Sequence, residues 1–295
     1  MKIRNAIQDK AFDIFNYSFL TVILVIVLYP LYFVFIASFS EPDAIYRGDV
    51  IFRISGFNLK GYHRILENAN IWLGYRNSIL YLVIGTFVNL LVTIPAAYSL
   101  SRKDTPARKT IIGIFMFTMF FSGGLIPTFL LVKSIGLYNT FSVMVILGAV
   151  NVFNLMVAMS FFQSTISEEL LDAAVIDGCS DIQFFFKIVI PLSKAIIAVM
   201  TLYYGVAHWN SFFNAIIYLK DKNLYPLQLI LRDILTLNQV LAGMSDATDS
   251  AVEQQKIAES IKYGVIIVAS LPMMVLYPFI QKHFVQGVMI GSVKG

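Results

Sequence analysis

The side chains able to do chemistry are sparse. His63, His208 and His283 lie far apart in the sequence, and Cys179 is the single thiol, with no partners at metal-ligand spacing. None of the 17 glycines leads into the Lys-Ser or Lys-Thr end of a phosphate-binding loop. No catalytic set, metal site or nucleotide site is expected in this chain. The polar residues that do cluster point to two other kinds of work. Five of the 18 acids fall within residues 168–181, around Ala173-Ala174 and Gly178, a pattern suited to docking. Elsewhere, Asn210 and Asn214 are four apart and Tyr203 is seven before Asn210, which puts them on one face if the helix is continuous. Amides and aromatic rings on such a face suit a sugar, because sugars are held by hydrogen bonds and stacking. His208 lies in the same stretch, and Asn151 and Asn154 form a second polar pair at i and i+3. All six are candidates for lining a path, since polar groups in apolar helices usually face the bundle interior or a cavity.

The acidic stretch reads as a helix, a break and a second helix. Glu168 and Glu169 suit a helix N-terminus, where the dipole favours carboxylates. Ala173 and Ala174 are small enough to let another surface approach. Gly178 stands where a reversal needs positive φ, and Ser180 or Asp181 can cap the second helix. Phe184-Phe185-Phe186 gives that helix an apolar face, and Pro191 suits the first residue of a following span. Such a knob is shaped to fit a groove on a partner.

The elements that must position these residues are membrane spans. Apolar residues make up 58% of the 295, and charged residues 14%, against about 25% charged in soluble domains. A globule so poor in charge could not cover its surface. The 25 Phe, 15 Tyr and 2 Trp exclude disorder. Six segments carry the ~20 apolar residues a span needs: 15–39, 78–100, 111–132, 141–162, 191–219 and 263–281. Polar loops at 40–77, 101–110, 133–140, 163–190 and 220–262 separate them. The expectation is an all-α integral membrane protein in three parts: tail, first span and outer loop (1–77), a core with the projecting segment (78–281), and a tail (282–295). Lys and Arg divide eleven to each side, so their total does not orient the chain. Four within residues 101–110 favour that loop, residues 163–190 and both termini inside. The net charge of +4 is read as flanking the spans, with no nucleic acid as partner and lipid around the helices. A secondary transporter would need ionisable groups inside the spans, where His208 is nearly the sole candidate.

A family resemblance sharpens this. Asp172-Ala173-Ala174, Gly178 four residues after Ala174, then Ile188, Ile190 and Pro191 resemble the EAA loop of binding-protein-dependent ABC importer permeases, with Asp172 where that family usually has Glu. Residues 121–128 (Phe-Ser-Gly-Gly-Leu-Ile-Pro-Thr), Leu131-Val132-Lys133 and 136–140 are similar to the carbohydrate-uptake permeases, especially those importing oligosaccharides from complex polysaccharides. The tail 287–295 resembles that of the maltose-type second permease.

The resemblance implies a type-1 ABC importer transmembrane fold in the bacterial cytoplasmic membrane, working by alternating access. It implies a second permease subunit, two cytoplasmic ATPase subunits that bind the ATP and Mg, an extracellular solute-binding protein, and a carbohydrate cargo, with another small solute as the alternative. It assigns ATPase coupling to Glu169, Asp172, Ala173, Ala174, Asp177, Gly178, Ile188 and Pro191, and an ATPase contact to the tail residues Gly291, Val293 and Lys294. The 220–262 loop matches in position a loop that probes the binding protein, and 40–77 is a second contact candidate.

Overall fold

A computed structural model describes residues 7–244 and 261–275. Every regular element among the described residues is helical. In chain order these are α1 (Ile7–Ser38), α2 (Pro42–Tyr46), α3 (Lys60–Glu67), α4 (Ala69–Ser101), α5 (Arg108–Phe120), α6 (Leu125–Ser134), α7 (Phe141–Ile146), α8 (Val152–Thr165), α9 (Glu168–Ile176) and α10 (Asp181–Phe184). A π-turn (Phe185–Val189) leads to α11 (Ile190–Leu192), α12 (Lys194–Trp209) and α13 (Phe212–Tyr218). A 3₁₀ turn (Lys222–Leu224), α14 (Leu227–Met244) and α15 (Ile261–Val275) follow. The tail residues Gly291, Val293 and Lys294 and the end of the sixth predicted span lie outside the described residues.

Hydropathy located the apolar segments but not their continuity. Among the described residues two helices are each long and apolar enough to cross a membrane, Phe12–Ser38 within α1 and Ala69–Ser101. The third predicted span is bent by 114° between α5 and α6. Gly124, at φ +85, makes that bend, a conformation costly for any residue with a Cβ. The fourth is interrupted between α7 and α8, with Gly148 at φ +80. The fifth is not one helix either. Residues 181–192 and 194–209 meet at 78°, and a second break at Asn210-Ser211 separates α12 from α13. The continuous helices expected over 111–132, 141–162 and 191–219 are thus corrected to broken ones.

The described residues divide into two compact units, 7–69 with 233–244 and 261–271, and 70–232 with 272–275. In the first, Ile36, Ala37, Ala44 and Val50 form a small core. Tyr263 packs its ring edge-on to Phe33 at 5.7 Å. The second unit is organised by α4. Near its C-terminal end, Ile94, Ala97, Tyr98 and Leu100 pack with Leu155, Phe162, Ala174, Phe184, Met200 and Tyr204. Near its N-terminal end, Tyr81 packs with Val143, Met144, Ala215, Tyr218 and Leu229.

Between the two cores lies a buried polar girdle. Asn89 donates from Nδ2 to the carbonyls of Gly148 (3.2 Å) and Ala149 (2.8 Å), two groups freed by the break in the fourth segment. Its Oδ1 lies 2.7 Å from His208 Nε2. Thr93 Oγ1 and the Tyr204 hydroxyl are 2.7 Å apart, and that hydroxyl accepts from the Asn151 backbone N–H at 3.3 Å. Gly85 gives the His208 ring its place, because a Cβ there would overlap the imidazole. Replacing Gly85 with Val should push His208 off Asn89 and cost about 1–3 kcal/mol, the usual penalty of overpacking. The check is a melting temperature of the detergent-purified protein several degrees below wild type.

Candidate functional site

The segment singled out by its acids is built as a hook. Ser167 caps α9 by accepting from the Leu170 N–H at 3.4 Å, and Glu168 and Glu169 occupy the first turn. The helix-start backbone N–H and then the Ser167 hydroxyl hold the Glu169 carboxyl below its ordinary range. After Ile176 the chain closes a Schellman turn. The N–H of Cys179 reaches the carbonyl of Ala174 at 2.9 Å, and that of Gly178 reaches Val175 at 3.0 Å, with Gly178 at φ +75. No atom lies within 4 Å of where a Gly178 Cβ would be, so backbone conformation, not space, selects glycine. Ser180 then starts α10 in a reciprocal capping box: its hydroxyl accepts from Gln183 N–H (3.4 Å), and Gln183 Oε1 accepts from Ser180 N–H (3.3 Å).

Two residues of the 101–107 loop meet the hook. Arg102 forks onto the Asp104 carboxylate and donates from Nη1 to Asp181 Oδ1 at 2.7 Å. Lys103 Nζ lies 3.0 Å from Glu168 Oε1. Asp104 and Asp181 keep the Arg102 guanidinium protonated, and Arg102 holds the Asp104 carboxyl below its ordinary range. A groove of about 770 Å³ runs between this loop and α9, lined among others by Arg108, Gln163, Glu169 and Asp172.

The expected docking residues are presented unequally. Glu169, Asp172, Ala173, Asp177 and Gly178 are exposed. Ala174 is buried at 6%, packed in the core with Tyr98 and Phe184. The close approach its small size permits is made by the chain's own helices. Ile188 is half-buried in the π-turn. Pro191 is exposed in α11, before the bend at Ser193, and so does not open the long helix as expected. Sequence reasoning passed over the exposed apolar residues Val175, Ile176 (86%) and Ile182. Their signal was available, because they lie off the apolar face that α9 and α10 bury.

The path candidates do not share one surface. Asn210 lies in the break and Asn214 beyond it, so their spacing does not put them on one helix face. Asn210 is exposed and donates to the Val206 carbonyl at 3.0 Å, and Asn214 is half-buried on α13. Tyr203 is exposed, whereas His208 is buried against α4. Asn151 is exposed and caps α8, accepting from the N–H of the buried Asn154 at 3.1 Å. Among the described residues no group of three His, Cys, Asp or Glu could hold a metal.

Long and broken apolar helices, polar groups held in their breaks and a projecting charged hook define a membrane transport subunit. The chain belongs to the binding-protein-dependent transport system inner membrane component family, whose model matches residues 70–290. It is 38% identical over 288 residues to the polygalacturonan/rhamnogalacturonan transport system permease protein YtcP of Bacillus subtilis (strain 168), covering 98% of this chain and 100% of that one. It is also 38% identical over 294 residues to protein LplC of the same organism, covering 99% and 98%. Among solved structures it is similar to a chain in the crystal structure of a bacterial ABC transporter involved in the import of the acidic polysaccharide alginate. That match has a TM-score of 0.85 and 29% identity, and covers 96% of this chain and 100% of the other. The fold is therefore the type-1 ABC permease fold.

The turn yields a test. Gly178→Asn should keep the hook nearly intact, because asparagine tolerates the left-handed region, whereas Gly178→Val should cost about 1–2 kcal/mol locally. Amide hydrogen exchange over residues 168–184 should be near wild type in the first variant and several-fold faster in the second.

Proposed function

We propose that this chain is the permease subunit of an ATP-driven importer that carries a polysaccharide-derived, acidic oligosaccharide across the bacterial cytoplasmic membrane. The observation that carries the reading is the hook at 168–184, a rigid two-helix projection with its turn at Gly178, in a chain related over nearly its whole length to a polygalacturonan/rhamnogalacturonan transport system permease. In this reading six spans cross the membrane with both termini cytoplasmic, three of them broken as described. The parts are 1–77, a core of 78–281 with the coupling segment 163–190, and a tail of 282–295. A second permease completes the pathway, and an extracellular binding protein delivers the sugar. Two ATPase subunits bind ATP and Mg, so this chain itself is non-catalytic.

The division of labour rests on the chemistry. The exposed residues Glu169, Asp172, Ala173, Asp177 and Gly178 meet the ATPase, and Ala174, Ile188 and Pro191 tie that contact to the membrane core. The tail residues Gly291, Val293 and Lys294 reach the same ATPases. Closure of the ATPase dimer moves the hook, which tilts the helices so that the cavity opens to the loaded binding protein. Hydrolysis resets it. Asn151, Tyr203, Asn210 and Asn214 offer amides and a ring to sugar hydroxyls, while the buried Asn154, beneath the Asn151 cap, and His208, through Asn89, support them from behind.

The test is uptake of labelled oligogalacturonides into proteoliposomes holding the full complex, with and without ATP. Accumulation that requires ATP and the binding protein is expected. Asn210→Leu and Asn214→Leu should each lower it by about five-fold, the loss expected from one hydrogen bond of about 1 kcal/mol, while the complex still assembles. Normal uptake by both variants would remove these two from the path, and ATP-independent uptake would refute the importer.

A further inference from the structure

Three mechanical routes connect the hook to the membrane core, two along the chain and one through space. At its start α9 follows α8 across Ile166-Ser167, and α8 itself begins after the break at Gly148. The second chain route leaves α10 through the π-turn, passes the three residues of α11 and turns 78° at Ser193 before α12 begins. A π-turn is a point at which helices kink, and a sharp bend adds a second soft point. The third route is through space to α4, a continuous helix of 33 residues with Pro95 inside it. Its last turns meet the hook at a joint of two parts. The Tyr98 ring packs on Phe185 at 5.3 Å and on Phe184 at 6.5 Å. One turn further on, Arg102 binds Asp181 at the first residue of α10.

We propose that Arg102 and Asp181 form a strap that couples the hook to α4, making α4 the continuous rod through which hook motion is transmitted. An exposed ion pair alone would do little, since ordering two long side chains offsets the attraction. This pair differs because Asp104 already holds the guanidinium in a bidentate fork. The Arg102 side chain is 21% exposed, so Asp181 meets a donor that is fixed before it arrives. Lys103 on Glu168 gives the first helix of the hook a second tie from the same loop.

The far end of the rod is anchored as firmly. Asn77 donates to the carbonyls of Asn223 (2.7 Å) and Tyr225 (3.0 Å), and Tyr81 donates to Leu224 (2.8 Å). Ser78 Oγ accepts from the Leu227 N–H at 2.8 Å. A Cβ at Gly74 would collide with Leu227 and Ile230. A displacement applied at Asp181 therefore reaches the segment that leads into α14 without passing through a helix break. Arg102 acts as a positioning residue: it touches neither sugar nor nucleotide, and works by keeping the hook in register with α4.

The inference rests on the reading of the hook as ATPase-driven, and its test uses the assembled complex. Asp181→Asn and Arg102→Gln should each lower sugar moved per ATP hydrolysed by about five-fold. The double variant should be no worse than either single one, and Asp181→Glu should regain most of the loss. A second readout uses spin labels at Ser99→Cys and Lys187→Cys in a Cys179→Ser background. Their distance distribution should be narrow with Asp181 and broader with Asp181→Asn. Unchanged coupling in both single variants, losses that multiply in the double variant, or identical distributions would each overturn the strap. The spin-label comparison decides the strap without any sugar, so a wild-type complex that carries none of the tested oligosaccharides would refute the cargo alone.

Discussion

A carbonyl released by a break in an apolar helix must find a donor, because hydrocarbon supplies none. Asn89 answers that demand twice over, for Gly148 and Ala149. Much else depends on having one amide in that place. Its oxygen needs a partner and has His208. The imidazole needs room and has it because residue 85 is glycine. The neighbouring hydroxyls of Thr93 and Tyr204 close the same ring of contacts onto Asn151. A helix interrupted in mid-course is thereby as well satisfied as a continuous one, and α4 is the element that makes it so.

This arrangement explains a division of roles among the helices. α4 runs as one helix through Pro95 and faces its neighbours with Asn77, Ser78, Tyr81, Asn89 and Thr93. Backbone groups freed at the break before α8 and in the turn before α14 point at Asn77, Ser78, Tyr81 and Asn89. A transporter must both hold together and change shape. Concentrating polar side chains on one unbroken helix lets the others carry the bends.

The legibility of the sequence tracks the range of each interaction. The hook was readable because its signals are local: acids at a helix start, glycine where the left-handed region is required, and a Ser-x-x-Gln capping pair. The choice left open between Ser180 and Asp181 as cap resolves to Ser180, which frees Asp181 to bind Arg102. The apolar segments were readable in place but not in continuity. A window of about 20 residues averages over an interruption of four, so Gly124, Gly148, Ser193 and Asn210-Ser211 vanished into runs of high hydropathy. Spacing across such a gap misleads, as it did for Asn210 and Asn214. Contacts between distant positions left no trace at all. Nothing local to Asn89 indicates His208, and nothing local to Arg102 indicates Asp181. The even split of basic residues hid the fact that two of them, Arg102 and Lys103, are engaged by the hook's own acids.

The Schellman turn has one more consequence. Its geometry is held by backbone hydrogen bonds and by the conformation of Gly178, and no side chain packs around the glycine. Shape and identity are therefore uncoupled at the tip. Substitutions at Ile176, Asp177 or Ile182 can change the chemistry of the tip while its outline stays the same. Related chains can in this way share one fold and still present different surfaces there.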